Sequence, residues 1–215
     1  MSYPTYWSYY GADLLIQFGQ HFEIVVLASL LGSIIGISTG VAVYRAPRAA
    51  QIALRVCGVL LTIPSLAMYV LLLSVIGLGW PPVLVALTLY SLLPIVQNTV
   101  VGLQGVDASI VEAATGIGMS RARTVVQVEF PIAWPIILTG VRTSVLLLVS
   151  TAAIGAIVRG PGLGNSIYDG LNRIGTPSAL YAALSGIAGV VIVGVTFNFA
   201  FLFIAKLTTS RGIRD

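Results

Sequence analysis

Charge is what this chain has least of. Only 8% of its 215 residues are Asp, Glu, Lys or Arg, while 57% are hydrophobic. A water-soluble domain of this size cannot hide that much apolar surface, so the composition excludes one and points to an all-α polytopic membrane protein. There is one cysteine, Cys57, so an internal disulfide and a cysteine-based metal cluster are both excluded. The one histidine, His21, leaves no His-pair metal site. The expected roles are a packing thiol and an interfacial imidazole. The one lysine, Lys206, follows apolar residues, so there is no Walker A loop and the chain does not bind ATP in that way. H-E-x-x-H, G-x-S-x-G and metal-spaced carboxylates are also missing, and no catalytic residue, metal site or nucleic-acid partner is expected. The Gly-rich stretch 159–177 is no dinucleotide fingerprint, because no βαβ unit surrounds it.

What is there comes in apolar blocks. Residues 1–10 hold Tyr3, Tyr6, Trp7, Tyr9 and Tyr10 but no Lys or Arg, which argues against a secretory signal. Tyr and Trp favour the membrane–water boundary, so residues 1–21 read as an extracytoplasmic interfacial segment. A transmembrane domain over 22–207 and a basic tail at 208–215 follow. Five spans are expected, near 22–44, 52–78, 83–103, 136–158 and 180–207, with 159–177 as an external loop. Gly32, Gly36 and Gly40 repeat every four residues and allow close helix approach, either within the chain or to a partner helix. Pro64 interrupts the second block and kinks it. The block has about 26 residues, too few to cross twice at ~20 per crossing. Broken helices are tolerated where they face protein or a cavity, so Thr62, Pro64 and Ser65 are candidates for a translocation path. Asn98 and the span aromatics Tyr69 and Tyr90 join them, with packing as the alternative role for the tyrosines. Arg142 falls within a span and needs a partner, either Glu129 or an acidic group on another protein.

Placement of the basic residues orients the whole. Arg45, Arg48, Arg55, Arg121, Arg123, Lys206, Arg211 and Arg214 fall on one side of a five-span layout, and Arg159 and Arg173 on the other. This positive-inside bias puts the N-terminus outside and the C-terminus in the cytoplasm. It also makes cytoplasmic the polar stretch between the third and fourth spans, the coupling region 107–131. Ser109 with Glu112 fits a capping box there, with Asp107 as a rival cap. Ile110, Ala113, Ala114 and Ile117 share one helix face. Gly118 sits where a left-handed exit is needed. Ser120 caps a second short helix over 121–129, which Pro131 closes. The pattern is a helix–Gly–helix elbow.

Within that elbow, Glu112-Ala113-Ala114, three residues, Gly118, nine residues and Val128-x-Phe130-Pro131 resemble the EAA signature of ABC-importer permeases, E-A-A-x3-G-x9-I-x-L-P. Val128 and Phe130 replace the usual Ile and Leu and stay apolar. Thr62-Ile63-Pro64-Ser65-Leu66-Ala67, the run from Ala86 to Ile95, Asn98-Thr99, Gly105-Val106-Asp107 and Gly160-x-Gly162-Leu163-Gly164 are similar to osmoprotectant permeases for glycine betaine, carnitine or choline. The resemblance covers roughly residues 22–205. It implies a five-span core of the methionine-permease type in a bacterial or archaeal cytoplasmic membrane, embedded in lipid. It also implies a second permease subunit, identical or paralogous, two cytoplasmic ATPases that carry the ATP and Mg, and an extracytoplasmic substrate-binding protein. Carried onto this chain, it makes 109–119 the coupling helix. Ser109, Glu112, Ala113, Ala114, Gly118, Arg121 and Pro131 are then the residues that meet or shape the ATPase contact. Two alternatives stand beside it: a permease of an amino-acid or methionine importer, and a channel or ion-coupled carrier without an ATPase. The carrier would need acidic ion ligands inside the spans. Asp13, Glu23, Asp107, Glu112, Glu129, Asp169 and Asp215 all read as lying outside the spans or at their ends.

Overall fold

Prolines and glycines decide where this chain turns. A computed structural model describes residues 2–208; Met1 and residues 209–215, with Arg211, Arg214 and most of the basic tail, lie outside the described residues. Helix α1 (Tyr3–Val43) ends where Ala46, extended because it precedes a proline, leads to Pro47 at the start of α2 (Pro47–Thr62). Ile63 is extended for the same reason before Pro64, and α3 (Ser65–Ile76) begins anew. Gly77 and Gly79, both at positive φ (84° and 97°), turn the chain into α4 (Trp80–Gln104), whose first turn carries Pro81 and Pro82. The elbow holds α5 (Ala108–Gly116) and α6 (Arg121–Thr124). A π turn over Val125–Glu129 then runs into α7 (Phe130–Ile154) and a 3-10 turn over Gly155–Val158. Helices α8 (Gly164–Asn172) and α9 (Ala179–Thr208) complete the chain. No strand occurs among the described residues.

Helix direction can be read from the close contacts. Gly32, Gly36 and Gly40 of α1 lie over Ser91, Ile95 and Thr99 of α4. Both rows climb by four, so α1 and α4 are parallel. An added Cβ at Gly36 would come within 2.8 Å of the Ile95 side chain, and one at Gly32 would collide with the Ser91 hydroxyl. The glycine stripe is therefore spent within the chain. Gly102 meets Ala133 and Ile136 while Gly140 meets Asn98 and Pro94, so α7 runs antiparallel to α4. Phe22 stacks on Phe197 at 4.7 Å, and the hydroxyls of Tyr3 and Ser185 are 3.3 Å apart, so α9 runs with α1. Parallel α1 and α4 oblige α2 and α3 together to return the chain to its starting end. Among the described residues four helical stretches are long and apolar enough to cross a bilayer, and up to five if the bent α2–α3 pair is one span.

Four expectations change. Residues 3–21 are continuous with the first span: α1 is one helix of 41 residues, ~60 Å long and about twice the thickness of a bilayer core. The break at Pro64 is no mild kink, since α2 and α3 meet at 93°. Two successive extended residues, Ile63 and Pro64, account for it. Residues 159–177 are not an open loop; α8 lies in them and packs against α9, with Gly170 and Gly186 permitting the approach. Finally, His21 is fully buried rather than interfacial. Its Nε2 lies 3.0 Å from the Val149 carbonyl, which makes Nε2 the protonated nitrogen and leaves Nδ1 without a partner.

Association of helices in lipid relies on packing rather than on water exclusion, so the α1–α4 seam carries much of the stability. Gly36→Leu is expected to lower stability by about 1–3 kcal/mol through overpacking. Gly58→Ala, where an added Cβ meets nothing within 4 Å, is expected to be neutral or mildly stabilising. Thermal unfolding of the detergent-solubilised protein compares the two, and equal melting temperatures would contradict the assigned seam.

Candidate functional site

The elbow is assembled from local backbone chemistry. Asp107, not Ser109, caps α5: its carboxylate accepts from the Ser109 amide at 2.8 Å. That bond, with the Ser109 hydroxyl second, holds the Asp107 carboxyl below its ordinary range. The Ser109–Glu112 capping box is thus displaced by the rival two residues earlier. At the other end the Met119 amide bonds the Ala114 carbonyl (3.1 Å) and the Gly118 amide bonds that of Thr115 (2.9 Å). With Gly118 at φ 88°, this is a Schellman exit, and the left-handed residue stands where the sequence requires it.

The apolar stripe of α5 is only partly covered by the rest of the chain. Ala114 is buried, but Ile110 is 42% and Ile117 81% exposed, and Ala113 and Glu112 also face outward. Most of that stripe has no cover within this chain. Arg121 and Arg123 are exposed beside it, and Arg123 bonds Gln127 at 2.9 Å.

Pro131 does not close a helix. Residues 121–158 run as one helical rod, and Pro131 sits in the first turn of α7. A proline there has no amide to donate and crowds the carbonyl four residues back. The wide π turn at Val125–Glu129, with the Phe130 amide reaching the Val125 carbonyl, accommodates both. The same turn directs Glu129 inward. Glu129 is 2% exposed, accepts from the Tyr44 hydroxyl at 2.7 Å and pairs with Arg45. The Tyr44 carbonyl in turn accepts from Gln104 at 2.7 Å. The ends of α1 and α4 and the start of α7 are tied by this cluster. Arg142 is therefore not Glu129's partner; it donates to Asn198 of α9 at 2.6 Å. Sequence reasoning missed the cluster. Its signal was a Tyr-Arg pair at the close of one apolar block and a lone Glu before the opening of another.

The second constellation lies at the break. Thr62, Pro64, Ser65 and Tyr90 line a cavity of about 230 Å³, with Leu147 and Thr151 of α7 on its other side. The Tyr90 hydroxyl donates to the Ile63 carbonyl at 2.9 Å, one of the groups freed when α2 stops. Thr62 bonds back to Val59. Tyr69 does not line this space: it is fully buried, and its hydroxyl donates to the Thr151 carbonyl at 2.9 Å. Asn98 is elsewhere on α4, bonded to the Pro94 carbonyl and packed on Gly140. Four of the six path candidates are brought together and two are not.

This architecture has known counterparts. A chain of the MetNI methionine ABC transporter, in an inward-facing conformation, superposes with a TM-score of 0.82 over 98% of this chain and 100% of that one, at 20% identity. The carnitine transport permease OpuCB of Listeria monocytogenes is 33% identical over 98% of this chain and 95% of its own length. The glycine betaine/carnitine/choline permease OpuCB of Bacillus subtilis is 33% identical over 95% and 92%. The osmoprotectant import permease OsmY of Salmonella typhimurium is 36% identical over 80% and 73%. The model of the binding-protein-dependent transport system inner membrane component matches residues 24–211. With its ABC-permease fold and that match over most of its length, the chain belongs to the family of binding-protein-dependent transport system inner membrane components.

Proposed function

We propose that this chain is the membrane-spanning subunit of an ATP-driven importer for compatible solutes such as glycine betaine, carnitine or choline. The observation that carries the coupling half of this reading is the uncovered stripe of α5, with Ile117 81% exposed at the arginine-rich end of the bundle. By the positive-inside rule that end faces the cytoplasm, where an ATPase is available to cover it. Ala113 is small and lets the helix seat closely, Glu112 offers a charge to a basic partner, and Arg121 flanks the seat. Gly118 and Pro131 set the elbow's shape. A second permease subunit, two ATPases and an outer binding protein complete the importer, and this subunit itself performs no hydrolysis. The cavity at Pro64 is the favoured stretch of the solute path, because a broken helix there exposes backbone polarity inside a span. Relatives named for quaternary amines support the substrate class.

Reconstitution of the whole importer in proteoliposomes tests this. Uptake of at least one of the three quaternary amines, dependent on ATP and on the binding protein, is expected. Failure of an ATPase to co-purify, or uptake competed by methionine but by none of the three, would overturn the reading. Proline cannot adopt φ 88°, so Gly118→Pro is expected to cut uptake by about tenfold or more, and Gly118→Ala less, since one left-handed alanine costs only ~1–2 kcal/mol. Ile117→Asp should leave the melting temperature unchanged while lowering binding-protein-stimulated ATP hydrolysis.

Glu129 is the complementary test, because it joins elbow to bundle. Glu129→Gln retains an acceptor for Tyr44 but loses the charge opposite Arg45. With the arginine side chain 31% exposed, the expected cost is about 1–3 kcal/mol. ATP hydrolysis should persist in the assembled complex while solute moved per ATP falls. Unaltered stoichiometry would remove Glu129 from the coupling route.

A further inference from the structure

At the end of the bundle remote from the arginine-rich elbow, the first turns of α1 lean against α8 and the start of α9. Tyr6 stacks on Tyr10 with ring centroids 4.9 Å apart and lies 6.0 Å from the Tyr181 ring. Gln17 fixes α1 to α8 by accepting from both the amide and the hydroxyl of Ser166, at 3.2 and 2.6 Å. Between these elements is a cavity of about 180 Å³. That is roughly six times the volume a water molecule occupies in the liquid, room for a small solute and too little for a peptide segment.

The wall of this cavity combines three kinds of group. Tyr10 gives half-buried aromatic surface, with Tyr6 buried behind it between the Tyr3 and Tyr10 rings; Asp13 and Asp169 give exposed carboxylates, and Arg173 gives an exposed guanidinium. Among the described residues the acids and the base form no ion pair with one another. Charges of both signs thus border one solvent-open space without direct contact between them. A quaternary ammonium cannot donate a hydrogen bond and is held by aromatic faces and negative charge. A carboxylate is held best by a guanidinium, which matches it with two parallel hydrogen bonds. One small molecule carrying both groups meets each kind of group on the wall and leaves one carboxylate to solvent.

We propose that this outer-end cavity binds a small zwitterionic quaternary amine, with Arg173 at its carboxylate and Tyr10 and the two aspartates around its ammonium. The site rests on the osmoprotectant reading above and adds to it a station on the membrane subunit itself, separate from the cavity at Pro64. It would receive solute at the outer face before the path through the bundle.

Equilibrium binding to the complete transporter in lipid nanodiscs, without the binding protein, tests it, using radiolabelled glycine betaine and choline as probes. Choline has the ammonium but no carboxylate. Arg173→Gln is expected to weaken glycine betaine by about tenfold, the loss of one charge-assisted contact, and to leave choline within about twofold. The pair Asp13→Asn and Asp169→Asn is expected to weaken both probes. Tyr10→Leu, at a half-buried position, should weaken both while the melting temperature holds. Affinities unchanged in all three variants would overturn the site. So would unchanged probe affinity together with loss of binding-protein-stimulated ATP hydrolysis in the same variants, which would assign these charges to a protein contact. Uptake by the wild-type importer, measured alongside, reports on the underlying function separately: transport with unaltered binding sinks the site alone, whereas no uptake of any quaternary amine sinks the reading beneath it as well.

Discussion

The seam between α1 and α4 is the constraint from which the rest of the architecture follows. Lipid offers apolar groups no incentive to leave it for each other, so helices associate through close packing and hydrogen bonds. Three glycines at four-residue spacing facing Ser91, Ile95 and Thr99 supply that packing in a single register. The register makes α1 and α4 parallel, and parallelism has a topological consequence. A chain that descends in α1 and again in α4 has to climb between them, and only α2 and α3 are available. Neither is long enough alone, at 16 and 12 residues. The bent pair is therefore a return passage, and its break is held in the fold by a contact made elsewhere.

Such a break exposes backbone carbonyls that lipid cannot satisfy, and the neighbouring helices answer them. Tyr90 of α4 does so at the Ile63 carbonyl, while Tyr69 of α3 separately ties that helix to the Thr151 carbonyl of α7. Each tyrosine bonds a main-chain carbonyl rather than a side chain, as expected where unpaired backbone polarity is the dominant penalty. The cavity at Pro64 is what remains between these anchors.

Local signals and long-range ones differ in how far the sequence discloses them. The apolar blocks behind α4 and α9, the exit at Gly118 and the all-helical class follow from short-range composition and backbone preference, and all were legible. Ser109 lost the cap to Asp107 because both residue types cap well and only the actual geometry of Gly105–Asp107 separates them. Pro131 misled for a clearer reason. A proline ends a helix when it falls deep inside one, but a π turn immediately before it lets the rod continue, and no residue pattern announces a π turn. The partner of Glu129 was hidden because it lies 84 positions away in the chain. A still longer separation concealed the burial of His21, whose neighbour Val149 lies 128 positions away and whose other neighbour is Gly162. Of the path candidates, the residues adjacent in sequence to Pro64 assembled around the break. Asn98, chosen for polarity alone, was spent on its own helix.

Elbow and cavity lie far apart, yet rigid elements join them. From Arg121 to Val158 the chain is one helical rod of 38 residues. Leu147 and Thr151, which form one wall of the Pro64 cavity, stand ~40–45 Å along that rod from its start. A rod transmits tilt without loss except at a weak joint, and the weak joint here is the π turn, where the regular hydrogen-bond ladder is interrupted. Glu129 occupies that joint and fastens it to Tyr44 and Arg45 at the end of α1. Helix α1 is in turn locked to α4, and α4 carries Tyr90, the opposite wall of the same cavity. Both walls are thus referred to one fulcrum. A force on α5 that turned the rod about Glu129 would move Leu147 and Thr151 relative to Tyr90, whereas a force that displaced the whole cluster would carry both walls together and open nothing. A carboxylate fixed between two helices therefore suits a pivot better than a flexible linker would.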